Sequence, residues 1–295
     1  MASILRSLIG DSNRYLKALT LFKKHTTLYR NTYDFIDNQL PNIMPRNLNG
    51  KSHLNIIGVG SGSGEIDINI ISMLRMKYPS LKVDNEVVEP EPQQIHDYKD
   101  LVSQTPGLDH VTFNWNQMTA EVFEEQWKGN NMTKKADLIH MFQMLYFVKD
   151  PGATISFFHS LLNKNAKLLL VLLSDDSGAG KLVKNYGKQL RNNSNDEISY
   201  LTTAEVKPLL EAKGLKYRCY KLPAQMDATN CYVEGNEEGE LLFDFTTEVH
   251  NFKKSVPPEL KAEIMEFYRH HACSLDANGK IQFNLDSEVL VVDRV

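Results

Sequence analysis

The spacing of apolar positions changes near residue 50. Before it, Tyr15, Leu16, Leu19, Phe22 and Lys23 recur at helical spacing behind Asp11 and Ser12, two residues suited to cap a helix. A second helical run over 31–40 stops at Pro41. Residues 45–50 read as a polar linker. Beyond it, short apolar runs alternate with amphipathic ones. Strands are predicted over 54–59, 82–89, 111–115, 137–144, 166–174, 215–222 and 288–293, and helices over 65–78, 92–102, 153–162 and 202–213. The 65–78 helix places Ile66, Ile70, Ile71 and Leu74 on one face, and Gly214 stops the 202–213 helix. This alternation predicts an α/β fold: a Rossmann-like, doubly wound sheet of seven strands, mostly parallel. The chain divides into a helical N-terminal segment (1–50), a core (51–222), an insertion (223–287) and a last core strand (288–295). The two added segments are expected over the carboxyl ends of the strands, where ligands bind in such sheets. Within them, 236–240 reads as a turn; 191–196 reads as a surface loop.

Charge and composition narrow the partners. Against 33 Lys and Arg stand 37 Asp and Glu, a net charge of −4, and there is no basic run. A general nucleic-acid or anionic-membrane surface is therefore not expected. No stretch approaches the roughly 18 apolar residues of a membrane span, and residues 1–8 lack the apolar core of a signal peptide. Cys219, Cys231 and Cys273 are scattered, which reads as reduced thiols in a cytoplasmic chain, with neither a disulfide framework nor a metal site. A monomer is expected, since no stripe for oligomerisation appears.

The sharpest chemical signal is the run Gly58-Val59-Gly60-Ser61-Gly62-Ser63-Gly64-Glu65 between a predicted strand and an amphipathic helix. Glycines there let a backbone approach a ligand closely and turn into a helix whose free N–H groups point at the site. The next strand ends in Glu89, an acid placed to accept hydrogen bonds from ribose hydroxyls. No Lys-Ser/Thr follows the glycines, so a phosphate-gripping P-loop is excluded. Glu65 at the helix start would repel a pyrophosphate but suits a cationic sulfonium and amino group, which favours S-adenosylmethionine over a dinucleotide. The fourth strand ends in Phe142 and Gln143, a polar residue closing an apolar run where a ligand would lie. His140, within that strand, reads as a packed core histidine.

Longer runs carry a resemblance. Met1-Ala2-Ser3, Gly64-Glu65-Ile66-Asp67, Asn85-Glu86-Val87-Val88-Glu89-Pro90, Gln143-Met144-Leu145-Tyr146 and Phe157-Phe158-His159-Ser160-Leu161-Leu162 are similar to the histamine N-methyltransferase family, over nearly the whole chain. The resemblance implies a class I methyltransferase sheet and S-adenosylmethionine as cofactor, with Gly60, Glu89, Gln94, Ala120 and Phe142 at the cofactor positions. Ala120 stands where the family has a serine, beside Thr119. On the acceptor side it implies Tyr15, Gln143 and Tyr146. It also shows departures: Leu28 replaces a glutamate, Ala179 and Val183 replace two tryptophans, and Leu285, next to Asn284, replaces an asparagine. Phe243 and Phe245 in the insertion are placed to close the pocket or to pack the insertion. A site without its acid and its indoles suits histamine less and a larger histidine derivative such as carnosine more. A small imidazole is thus the expected partner, methylated on a ring nitrogen without a metal and without a certain catalytic side chain. Two other readings stay open: a dinucleotide-dependent dehydrogenase, and a methyltransferase-like binding protein without turnover.

Overall fold

The computed structural model describes residues 5–44, 51–191 and 201–294. The predicted linker at 45–50 and residues 192–196 of the predicted surface loop lie outside them. Seven strands form one sheet: β1 (His53–Val59), β2 (Lys82–Val88), β3 (Val111–Asn116), β4 (Ala136–Phe142), β5 (Leu162–Leu173), β6 (Tyr217–Leu222) and, last in the chain, β10 (Ser287–Asp293). Their order is β3-β2-β1-β4-β5-β10-β6. The pairs β1–β2, β1–β4, β2–β3 and β4–β5 are parallel. Strands β1 and β4 are largely buried on both faces, as the inner strands of a parallel sheet are, and so they read as mainly apolar runs, interrupted by Asn55 in β1 and by Asp137 and His140 in β4. Strand order reverses between β1 and β4, the place where doubly wound sheets open a crevice at their carboxyl ends.

Twelve helices accompany the described strands. The first three are α1 (Ser12–His25), capped by Asp11, α2 (Leu28–Asn38) and α3 (Leu40–Ile43). The predicted 31–40 helix thus begins earlier, and Pro41 lies inside the first turn of α3, where its missing N–H costs nothing. After α4 (Glu65–Lys77) and α5 (Pro92–Gln104) comes α6 (Ala120–Gly129), which the sequence pattern had not indicated. Thr119 caps α6 by accepting from the Val122 N–H, and Phe123 and Trp127 form its buried face. Next are α7 (Pro151–Ser160), α8 (Gly178–Arg191), also unforeseen, and α9 (Thr203–Ala212). The insertion carries α10 (Glu237–Thr247), α11 (Phe252–Ser255) and α12 (Pro258–Phe267). It also carries a second, antiparallel sheet of β7 (Gln225–Asp227), β8 (Cys273–Leu275) and β9 (Ile281–Asn284), in the order β7-β9-β8. The 236–240 stretch is not a turn but the start of α10, with the Asn236 side chain accepting from the Gly239 N–H.

The chain forms two compact units. One comprises the described parts of Thr32–Leu172, Glu205–Tyr220 and Val289–Val295 and holds nearly all of the seven-stranded sheet. The other comprises the described parts of Met1–Asn31, Leu173–Ala204 and Lys221–Glu288. In this second unit α1 joins α10. The Arg14 Nε donates to Asp244 Oδ2 at 2.6 Å, and the rings of Phe22 and Phe245 stack at 4.5 Å. Asp244 is buried; burial pushes its carboxyl up, while Arg14 and the N–H groups of Phe252 and Asn251 pull it down. Among the described residues no helix is long and apolar enough to cross a membrane.

Candidate active site

In the sheet unit, the turns following β1, β2, β3 and β4 carry the residues with ligand-binding chemistry. The turn after β1 is the glycine loop, with Gly60, Gly62 and Gly64 at φ of 66°, 55° and 85°. Gly60 has a second constraint: a Cβ there would lie 2.6 Å from the Met144 Cβ, so only glycine lets the loop pass beneath the segment after β4. The Gly60 N–H donates to the Val88 carbonyl at 2.8 Å, which ties the loop to the end of β2. Glu89 follows directly. It is 7% exposed, its Oε2 accepts from the Gly62 N–H at 2.8 Å and its Oε1 from the Glu91 N–H at 3.0 Å. Burial pushes its carboxyl above the ordinary 4.5, and the two N–H groups partly offset that. Each oxygen keeps acceptor capacity beyond its one backbone donor.

Around this loop, the Ser61 hydroxyl and the Gln94 side-chain oxygen are buried without a hydrogen-bond partner among the described residues. A Cβ on Gly62 would sit 3.3 Å from that Gln94 oxygen. The Ser63 hydroxyl donates to the Glu65 carboxylate. Burial, and then the charge of Glu65, push the half-buried Tyr33 hydroxyl up to about 12. Ala120 opens α6 after β3 and is buried, while the hydroxyl of neighbouring Thr119 is engaged in capping that helix. The close backbone, the acceptor carboxylate and the two buried polar atoms lacking partners fit a ribonucleoside cofactor such as S-adenosylmethionine.

At the end of β4, Phe142 is half-buried, its ring edge-on to that of His140 at 5.5 Å. Gln143 takes φ of 51°, an uncommon value for a residue with a side chain, while its N–H still donates to the Val171 carbonyl of β5. The Tyr146 hydroxyl donates to Gln143 Oε1 at 2.6 Å. The structure therefore pairs two side chains that the sequence placed near the acceptor only separately.

The remaining predicted positions lie in the second unit. Tyr15 is half-buried against Phe245, ring centroids 6.0 Å apart, in a cluster with Leu8, Ala18, Leu21 and Leu241. Phe243 is wholly buried among Tyr232, Phe252 and Tyr268, in the interior of its own unit. Leu28, Ala179 and Leu285 are buried, and Val183 is half-buried. Asn284 is committed locally: its Oδ1 accepts from the Asp286 N–H and its Nδ2 donates to Asp286 Oδ2.

Sequence reasoning missed Asp67, Asn85 and Tyr98, which are buried beside His140. A signal existed. Asp67 occupies the same helical stripe as Ile71 and Leu74, all buried, so an acid stands where a core residue is due; Ile66, expected on that face, is only half-buried.

A family model described as a methyltransferase domain matches residues 29–220. Histamine N-methyltransferase of Danio rerio is 46% identical over 293 residues, covering 99% of this chain and 100% of its own length. That of Mus musculus is 40% identical over 294 residues, covering 99% of each. Among solved structures, the plantazolicin methyltransferase BpumL in complex with a triazolic analogue and SAH superposes with a TM-score of 0.51 at 12% identity, covering 98% of this chain and 93% of that one. The YcgJ protein of Bacillus subtilis does so with a TM-score of 0.50 at 14% identity, over 83% and 93%. These two likenesses show the fold alone.

Proposed function

This chain belongs to the histamine N-methyltransferase family of S-adenosylmethionine-dependent enzymes, and from that membership we propose that it methylates a ring nitrogen of a small histidine-derived imidazole. The cofactor, when bound, supplies an electrophilic methyl group on a sulfonium. In this reading Glu89 accepts from the ribose hydroxyls, Gly60 gives backbone access, and Gln94, Ala120 and Phe142 border the base and the thioether side. Gln143 and Tyr146 orient the acceptor. With the Tyr146 hydroxyl donating to the Gln143 amide oxygen, the phenol oxygen serves as acceptor for the ring N–H and the opposite nitrogen keeps its lone pair for the methyl. No side chain needs to take a proton before transfer, because an imidazole with pKa near 6.5 is largely neutral at pH 7 and above. The contribution of the protein is then alignment and exclusion of water. The pairing of Tyr146 with Gln143, at a strand end adjoining the glycine loop, is the observation that carries this reading.

A finer reading concerns the acceptor. Leu28 and Leu285, both buried and apolar, cannot supply the charge-assisted contact that a glutamate and an asparagine supply to a cationic amine. Ala179 and Val183 leave more room than two indoles. These four positions favour a carnosine-type acceptor over histamine, with Tyr15 and Phe245 as further contacts and Phe243 supporting from the interior.

Radiolabelled methyl transfer to a panel of imidazoles tests both levels. Turnover of at least one ring is expected, with kcat/KM for carnosine exceeding that for histamine about tenfold, the scale of one lost charge-assisted contact. No transfer to any imidazole would overturn the class of acceptor; a clear preference for histamine would overturn only the finer reading.

A further inference from the structure

Gly58 stands in register with Val87 of β2 on one side and His140 of β4 on the other. Because it has no side chain, space is left over β1, and the Asp67 carboxylate reaches into it from α4. A Cβ on Gly58 would fall 2.7 and 2.8 Å from the two Asp67 oxygens and 2.4 Å from the Ser61 hydroxyl. Asp67 is 1% exposed, and its Oδ1 lies 2.5 Å from His140 Nε2. That contact is close but off the direction of an aligned hydrogen bond. Its Oδ2 accepts from the Tyr98 hydroxyl at 2.9 Å, and that hydroxyl accepts in turn from Asn85 Nδ2 at 3.2 Å. The Tyr98 ring is pressed against Gly64, where a Cβ would meet it at 2.1 Å.

Four buried polar side chains, from β2, α4, α5 and β4, thus form one cluster that meets the glycine segment at both of its ends, through Asp67 at Gly58 and Tyr98 at Gly64. Burying a carboxylate is costly unless something compensates for it, and the methyl transfer proposed above assigns none of these groups a role. We propose that Asp67, Tyr98, His140 and Asn85 are positioning residues, a buried network that holds the loop over residues 58–64 in its ligand-accepting shape before the cofactor arrives. The proposal rests on the reading of that loop as the cofactor cradle. The donor at its centre is fixed: burial and the Asp67 charge raise the Tyr98 hydroxyl well above its usual range, so it stays protonated. A loop held in place in advance spends less of the binding energy on ordering, which appears as affinity.

The test uses the full-length protein. Tyr98→Phe removes the hydroxyl and keeps the ring against Gly64; Asp67→Asn keeps an oxygen for that hydroxyl, and Asp67→Ala keeps none. Backbone hydrogen exchange at residues 60–64 is read without ligand, Kd for S-adenosylmethionine by calorimetry, and acceptor KM at saturating cofactor. In Tyr98→Phe the loop should exchange faster and Kd should weaken about three- to tenfold, the scale of one buried hydrogen bond, with acceptor KM unchanged. Asp67→Asn should retain more affinity than Asp67→Ala. Wild-type exchange and Kd in both Tyr98→Phe and Asp67→Ala, even with a lowered melting temperature, would overturn the network. Glu89→Ala, measured alongside, separates the failures: wild-type affinity there overturns the cofactor site itself, whereas lost affinity there with wild-type behaviour of Tyr98→Phe overturns only the positioning role.

Discussion

Glu89 faces two opposing demands. To accept ribose hydroxyls it must be ionised, yet burial disfavours the charge and raises its carboxyl above 4.5. For the ligand-free protein the sign follows directly. A carboxyl raised in the folded state costs nothing below its unfolded value; the cost sets in as pH rises and is complete above the folded value. Hydroxyls donating to the carboxylate favour the charged form and lower that value when ligand binds. Binding therefore releases protons in the window between the bound and free values. Affinity for S-adenosylmethionine should be flat at high pH and weaken as pH falls through a value above 4.5, as calorimetry across pH would record. Glu89→Gln should bind weakly at every pH, because its amide N–H₂ would face the N–H of Gly62 or Glu91. A Glu89→Gln protein with the wild-type slope would assign the titration to another group.

At the scale of elements, legibility followed burial. Strands β1, β4 and the second half of β5 are mostly buried on both faces and were plain in the sequence, whereas the start of β5, with Lys164 and Asn165 exposed, was not. Helix α6 was not: its buried side is only Ala120, Phe123 and Trp127 among glutamates, and Val122 is exposed. Helix α8 was hidden by Gly178, Gly180 and Gly187, residues of low helical propensity. The fold explains two of them: a Cβ at 178 would lie 2.3 Å from the Ala272 carbonyl oxygen, and one at 180 would lie 2.2 Å from that of Ser174. Propensity was given up for close backbone packing, a contact no local window reveals. Gly180→Ala should therefore destabilise by about 1–3 kcal/mol, the usual cost of overpacking, although alanine is the better helix former. Chemical denaturation reads this, and an unchanged or raised midpoint would mean that the start of α8 can shift. The buried network had the same obstacle. Asp67 alone stands out, as an acid on a core stripe; Gly58, Tyr98 and His140 look ordinary locally, and they meet only through the register of β1 against β4 and the contact of α5 with Asp67. Glu89 and the glycine loop, by contrast, lie within one strand–turn–helix–strand stretch and were visible together. The residues expected on the acceptor side came from resemblance rather than from pattern.

For the whole molecule, the order of strands in space matters more than their order in the chain. Residues 51–222 look in the sequence like a self-sufficient core with one later strand appended. In the sheet that later strand, β10, lies between β5 and β6 and is not an addition at the edge. Val289, Leu290, Val291 and Val292 are fully buried in it. At roughly 1.5–3 kcal/mol for each buried aliphatic side chain, their loss is comparable to the entire margin of about 5–15 kcal/mol that a domain has. Without β10, β6 has no neighbour in the sheet and β5 gains an open edge. The compact unit that holds the sheet also draws Thr32–Asn38 of α2 and all of α3 from before residue 51, while Gly178–Arg191 of α8 belongs to the other unit. A 51–222 fragment would carry α8 without its partners and lack α2, α3 and β10. Such a fragment should therefore fail to melt cooperatively and should not bind S-adenosylmethionine, even though it contains Gly60, Glu89, Gln94, Ala120, Phe142 and Gln143. Circular dichroism melts and calorimetry on the purified fragment decide the matter. A cooperative transition with wild-type affinity would mean that the five strands left paired, β1 to β5, suffice and that the cofactor half folds independently of the chain's last strand.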